Sequence, residues 1–132
     1  MRDRELVGPH GRPWTVSVPH TRRERMRGLR GRAWLPPDHG LLLLRCRSVH
    51  TFGMRAPIAV AFLDADWRVL SVRRVRPGRV VLPRWRARHV LECAAATDLR
   101  RGDRLRETLN QPGSPAGGTT RGARDTSRRA RT

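Results

Sequence analysis

Lysine is absent from this chain of 132 residues, so apart from histidine every cationic side chain is arginine. The formal net charge is +18. Two explanations fit that surplus. One is an electrostatic footprint for nucleic acid or another polyanion. The other is coding bias, because a lysine-free chain rich in Arg, Ala, Gly, Pro and Val has the composition of a GC-rich genome's product. Arginine runs through the whole chain instead of gathering on one element, and that favours the compositional explanation.

Cysteine is scarce as well. Cys46 and Cys93 are too few for a disulfide framework, and neither has CxxC or Cys/His metal spacing. Both are expected to be buried, reduced thiols. The N-terminal Met-Arg-Asp-Arg-Glu leads into no apolar signal core, and no hydrophobic run reaches membrane-spanning length. The expectation is a soluble, cytoplasmic monomer with no membrane association. Residues 110–132 contain no Val, Ile, Leu, Phe or Trp, so they lack the apolar surface needed to offset the entropy of ordering. They read as a disordered, Arg-rich tail, and residues 1–12 as a flexible lead-in. One compact β-rich domain over 13–109 remains, large enough to bury roughly 60–65% of its unfolded surface.

The longest apolar run beside a proline is Ile58-Ala-Val-Ala-Phe-Leu63, closed by Asp64. Six apolar residues without alternation suit a strand covered on both faces. Ile58, Val60 and Phe62, with Pro57 at the entrance, favour strand over helix. Before it, Trp14–Val18 alternates as a half-buried strand, and Thr21-Arg-Arg-Glu24 has capping-box spacing for a short helix. Met26 and Leu29 would share that helix's packing face. Arg22 and Arg23 sit at its unfavourable end, costing about 0.3–1 kcal/mol each when exposed.

Leu41 onward reads as another strand. After the central strand, Asp64-Ala-Asp66 turns the chain back as a hairpin through Trp67–Val75. Arg76-Pro-Gly-Arg79 breaks it, and short extended pieces follow at Val80–Leu82, His89–Cys93 and Arg104–Thr108. The sum is an α+β domain: a mostly antiparallel sheet curling towards a small barrel, with one short helix near the N-terminus.

Several motifs now fall in a fixed order: Glu24-Arg25-Met26-Arg27-Gly28-Leu29, Gly40 opening an apolar strand, His50-Thr-Phe-Gly-Met-Arg55, Pro57 leading to Leu63-Asp64, Val90-Leu91-Glu92, and Gly102-Asp103. In this order they resemble the prokaryotic family catalogued as domain of unknown function 192, over residues 14 to about 108. The resemblance implies a compact β-rich domain with one helix and no established biochemical role. Two departures stand out. The family's usual Asp after the central proline is here Ala59, and its frequent Gly after the Leu-Glu strand is replaced by Cys93-Ala-Ala-Ala96.

The best candidate site is His50, Thr51, Met54 and Arg55, with Glu92 brought in from another strand. An imidazole, a planar guanidinium fork and a carboxylate at the mouth of the central strand could hold a small anionic or polar ligand. The structural alternative makes His50 a turn residue, pairs Arg55 with Glu92, and assigns Met54 to the core. A second candidate is Arg84-Trp85-Arg86-Ala87-Arg88, where cations flank an aromatic as in single-strand nucleic-acid binders. Its bland counterpart is a solvated basic loop.

No catalytic residue is assigned. Cys46 and His50 would stand about 13 Å apart if extended, and a relay would need a sharp turn at Ser48. The chain has neither a nucleophile elbow nor a phosphate loop. Its five histidines fall in no metal-ligand spacing, so neither metal nor cofactor is expected. The favoured function is a non-catalytic accessory or small-ligand-binding domain. Non-specific polyanion binding is the alternative, and a hydrolytic enzyme a distant third.

Overall fold

The computed structural model of the chain describes residues 2–27, 29, 35–82 and 84–108. Strands β1 (Arg2–Val7) and β2 (Pro13–Val18) are followed by helix α1 (Arg22–Arg27) and strands β3 (His39–Leu43), β4 (Val49–His50) and β5 (Ile58–Leu63). Then come β6 (Val69–Val75), β7 (Val80–Val81), β8 (His89–Ala94) and β9 (Arg106–Glu107). Seven strands form one sheet in the order β6-β5-β8-β3-β2-β1-β9, while β4 and β7 pair separately. Among the described residues only β2 and β3 run parallel; the other pairings are antiparallel.

The protein is therefore mostly β with very little helix. Its sheet curls enough for the two ends to meet, through a bridge between Arg68 and Arg104. Backbone bonds reinforce that meeting: Val69 N–H donates to Asp103 O at 2.7 Å, and Leu105 N–H to Trp67 O at 3.1 Å.

The central strand has the burial its sequence implied, with all six residues of β5 inaccessible. Alternate residues enter two different cores. Ala59, Ala61 and Leu63 face an inner core with Leu6, Trp14, Val16, Leu42, Leu91 and Leu105, drawn from strands at both ends of the sheet. Small side chains at 59 and 61 suit this enclosed side. Ile58, Val60 and Phe62 face an outer core with Leu29, Leu41, Leu43, Val81 and Val90, against which Val49 and Met54 pack. An unbroken apolar run is the sequence trace of this two-sided burial. Gly40 lets β3 and β8 approach, since a Cβ there would stand 2.7 Å from Leu91 Cδ1 and 3.0 Å from Glu92 O.

Two local devices connect these elements. At the start of α1 the capping box is formed: Glu24 N–H donates to Thr21 Oγ1 at 3.0 Å, and Thr21 N–H to Glu24 Oε1 at 3.2 Å. Between β5 and β6, Asp64 Oδ1 accepts from the N–H groups of Asp66 and Arg68, at 2.8 and 3.0 Å. That organises the hairpin turn.

The opening segment differs from the sequence expectation. Where a flexible lead-in was expected over 1–12, Arg2–Val7 forms β1, paired along its length with β2 and at its end with β9. Its polar residues hid the strand: Leu6 alone is fully buried, while Arg4 pairs with Glu107 and Asp3 accepts from the Ser17 hydroxyl. The expected tail at 110–132 lies outside the described residues. Among the described residues no helix is long and apolar enough to cross a membrane.

Candidate functional site

A cleft of about 390 Å³ opens on the outer face of the sheet. Its floor includes Glu92 on β8, whose backbone neighbours in register are Leu41 on β3 and Val60 on β5. The strand's alternation places Glu92 on the side of Val90, towards the outer core, while Leu91 and Cys93 face inward. A carboxylate thus occupies a position the sheet otherwise fills with hydrocarbon. It is 3% exposed, and its Oε1 is buried without a hydrogen-bond partner among the described residues. Burial pushes the Glu92 pKa up from 4.5 to about 7, because the ionised form is poorly solvated there.

The walls combine apolar and polar groups. Leu43, Val49, Phe52 and Met54 supply hydrocarbon, and Cys46, Ser48 and His50 the polar edge. His50 and Phe52 stack at 5.0 Å between ring centroids, and the Phe52 N–H donates to His50 Nδ1 at 3.3 Å. Helix α1 contributes Arg22, Arg25 and Arg27, all exposed at the cleft's rim. Arg25 Nη2 donates to Leu44 O at 3.0 Å, fixing the helix over the end of β3.

Of the five expected site residues, the structure gathers His50, Met54 and Glu92 on this cleft. Thr51 and Arg55 do not line it. Thr51 is completely buried, and its hydroxyl donates to Arg76 O at 2.7 Å while accepting from Arg79 N–H at 2.8 Å. Its own N–H donates to Arg79 O at 2.8 Å, and its carbonyl accepts from Gly78 N–H at 2.9 Å. Thr51 is the clasp that ties the β6–β7 turn to the strand before it. The turn itself uses Pro77 and then Gly78 at φ +81, the arrangement of a type II turn. Arg55 is exposed, and Glu92 makes no ion pair with it among the described residues.

Three of the four arginines of α1, Arg22, Arg25 and Arg27, line the cleft and were not among the expected site residues. One signal was present: cations crowd a short helix, two of them in its first turn where the dipole disfavours them. Cys46 and His50 do share the cleft, and the Cys46 thiol donates to Ser48 O at 3.2 Å. Cys93 is inward and fully buried, which pushes its thiol up to about 12 and keeps it protonated. Among the described residues no group of three or more His, Cys, Asp or Glu side chains could hold a metal ion. Arg84, Trp85, Arg86 and Arg88 are all exposed, with Trp85 83% accessible.

The DUF192 family model, described as an uncharacterized ACR, matches residues 6–106. The chain belongs to the DUF192 family. A stretch of 45 residues is 42% identical to the UPF0127 protein PH1112 of Pyrococcus horikoshii, covering 34% of this chain and 39% of that protein. The match thus spans well under two thirds of that relative's length. Two crystal structures share the fold. A candidate transcription regulator from Sinorhizobium meliloti superposes with a TM-score of 0.63 at 25% identity, covering 80% of this chain and 92% of that one. A protein of unknown function from Novosphingobium aromaticivorans gives 0.65 at 19% identity, covering 78% and 82%. In this DUF192 chain Ala59, where the resemblance implied an Asp, faces the sealed inner core and is remote in orientation from the cleft.

Proposed function

We propose that this DUF192 chain is a non-catalytic binding domain that takes a small anionic molecule in the cleft between α1, β4 and the outer face of the sheet. The observation that carries the reading is the convergence on one concavity of Arg22, Arg25 and Arg27 with His50 and with Glu92, whose Oε1 has no partner among the described residues. Guanidinium groups at the rim suit a carboxylate or phosphate, and the apolar walls suit the body of a small organic acid. Nearly all surface arginines on this chain have a compositional explanation. Three on one helix over a cleft that ends at a buried acid do not need to be spread evenly, and here they are not.

The test is isothermal titration of small carboxylates and phosphates against the wild type and the Arg22→Ala/Arg27→Ala double variant. Both side chains are exposed, so the fold should survive. An arginine-dependent affinity supports the proposal; equal binding by both proteins, or none by either, ends it.

A second reading has one observation in its favour. Trp85 projects into solvent among exposed Arg84, Arg86 and Arg88, a stacking platform with neutralising charges for single-stranded nucleic acid. The Sinorhizobium structure's description as a candidate transcription regulator is compatible with it. Binding of this kind would be sequence-indifferent and would weaken steeply with salt. No loss of affinity for single-stranded DNA in Trp85→Ala would remove this reading.

A further inference from the structure

Glu92 is the least expected side chain in the protein. Its neighbours across the sheet are Leu41 and Val60, it is all but inaccessible, and one carboxylate oxygen has no partner among the described residues. Such an oxygen costs the native state free energy that a leucine in its place would not. Buried polar groups without partners are few in folded proteins, and each calls for a group that satisfies it. No hydrogen-bonding side chain of β3 or β5 lies beside it. What does lie beside it is the cleft, with hydrocarbon walls between the floor and the arginine rim.

The cleft has two poles. Arg22, Arg25 and Arg27 are exposed at its mouth, whereas Glu92 is 3% exposed at its floor. A ligand reaching from rim to floor therefore meets positive charge at one end and a hydrogen-bond acceptor at the other. A purely apolar far end would leave the acceptor unsatisfied, and above about pH 7, where the carboxyl is ionised, a second anionic end would be repelled by it.

We infer that Glu92 accepts a hydrogen bond from a hydroxyl or amino group of the bound molecule, so that the cleft selects small acids carrying such a donor at the end opposite their anionic group. This rests on the anion-binding reading above and adds a requirement to it. The ligand class is narrowed from any small anion to hydroxy acids, amino acids and hydroxylated phosphates of matching length.

The test uses matched pairs that differ by one donor: phenylacetate and its para-hydroxy derivative, butyrate and gamma-aminobutyrate, propyl phosphate and 3-hydroxypropyl phosphate. Affinities are measured by titration calorimetry on the full chain, as wild type, Glu92→Leu and Glu92→Gln. The donor-bearing member of at least one pair should bind the wild type about tenfold or more tightly than its twin. Glu92→Leu should abolish that preference while leaving the donor-free twin's affinity within a few fold, since the arginines are intact. Glu92→Gln keeps a carbonyl acceptor and should retain part of the preference for hydroxyl donors. Should Glu92→Leu not fold, Glu92→Met serves the same purpose, and the wild-type comparison needs no variant.

Equal binding of both members of every pair overturns the donor requirement and leaves the anion site standing. A preference that persists in Glu92→Leu overturns the assignment to Glu92. Failure of every acid to bind overturns the inference and the anion site together.

Discussion

Replacing Glu92 by Gln should remove a pH-dependent weakness from the fold, and its size follows from the structure. The carboxyl titrates at 4.5 when solvated and at about 7 in the native sheet, raised by burial. At about 1.36 kcal/mol per pH unit, the native state is penalised by about 3 kcal/mol once the group must ionise. The native state holds the proton more tightly than the unfolded chain, so the penalty is absent below pH 4.5. It grows as pH rises and is complete above about 7. Stability therefore falls with rising pH, the reverse of a salt-bridged acid. Most of that fall, about 2–3 kcal/mol, lies between pH 5 and pH 8.

Urea denaturation followed by tryptophan fluorescence, at several pH values across that range, measures it. Glu92→Gln is the reference that cancels every other titrating group, because both proteins share them. The free-energy difference between variant and wild type should grow in the variant's favour by about 2–3 kcal/mol from pH 5 to pH 8, at unchanged denaturant slope. For a domain of this size that is on the order of 10 °C in Tm. Parallel pH profiles for the two proteins would refute the reasoning, and would mean that the carboxylate is solvated or paired in the native state.

Three further outcomes are expected. Thr51→Val keeps the shape but strips Arg76 O and Arg79 N–H of a shared partner, and should cost about 1–3 kcal/mol in urea denaturation. Leu6→Ala should cost about 2–5 kcal/mol, as expected of a core residue; a cost near zero would show that β1 contributes nothing to the fold. Trp85→Ala should leave stability within about 0.5 kcal/mol, since the ring is largely in solvent, and a larger loss in thermal denaturation would contradict that exposure.

How much was legible depends on which residues made local sense. The central strand could be read outright, because six apolar residues in a row are only tolerable where both faces are covered, and β5 has a core on each side. The Asp64 turn and the capping box were equally readable, since their bonds lie within four residues. Strand β1 was not, because Leu6 is its one fully buried residue, the rest of it is mostly charged, and one of its two partners, β9, lies far along the chain. Thr51 and Arg55 were placed in the site by proximity to His50, and proximity misled. Thr51 follows β4 and spends its hydroxyl and backbone on bonds to Arg76, Gly78 and Arg79, so it is buried as a clasp while exposed His50 lines the cleft.

The sequence by itself determined the elements whose causes are local: apolar runs, turn chemistry, and the spacing of a cap. It also determined that a single acid, Glu92, stands in an apolar strand. Only the tertiary structure decided that this acid faces the outer layer, that a helix of arginines overhangs it, and that the sheet's two ends meet. Those facts depend on sheet order and curl, which arise from pairings between distant segments and leave no periodicity in the chain to read.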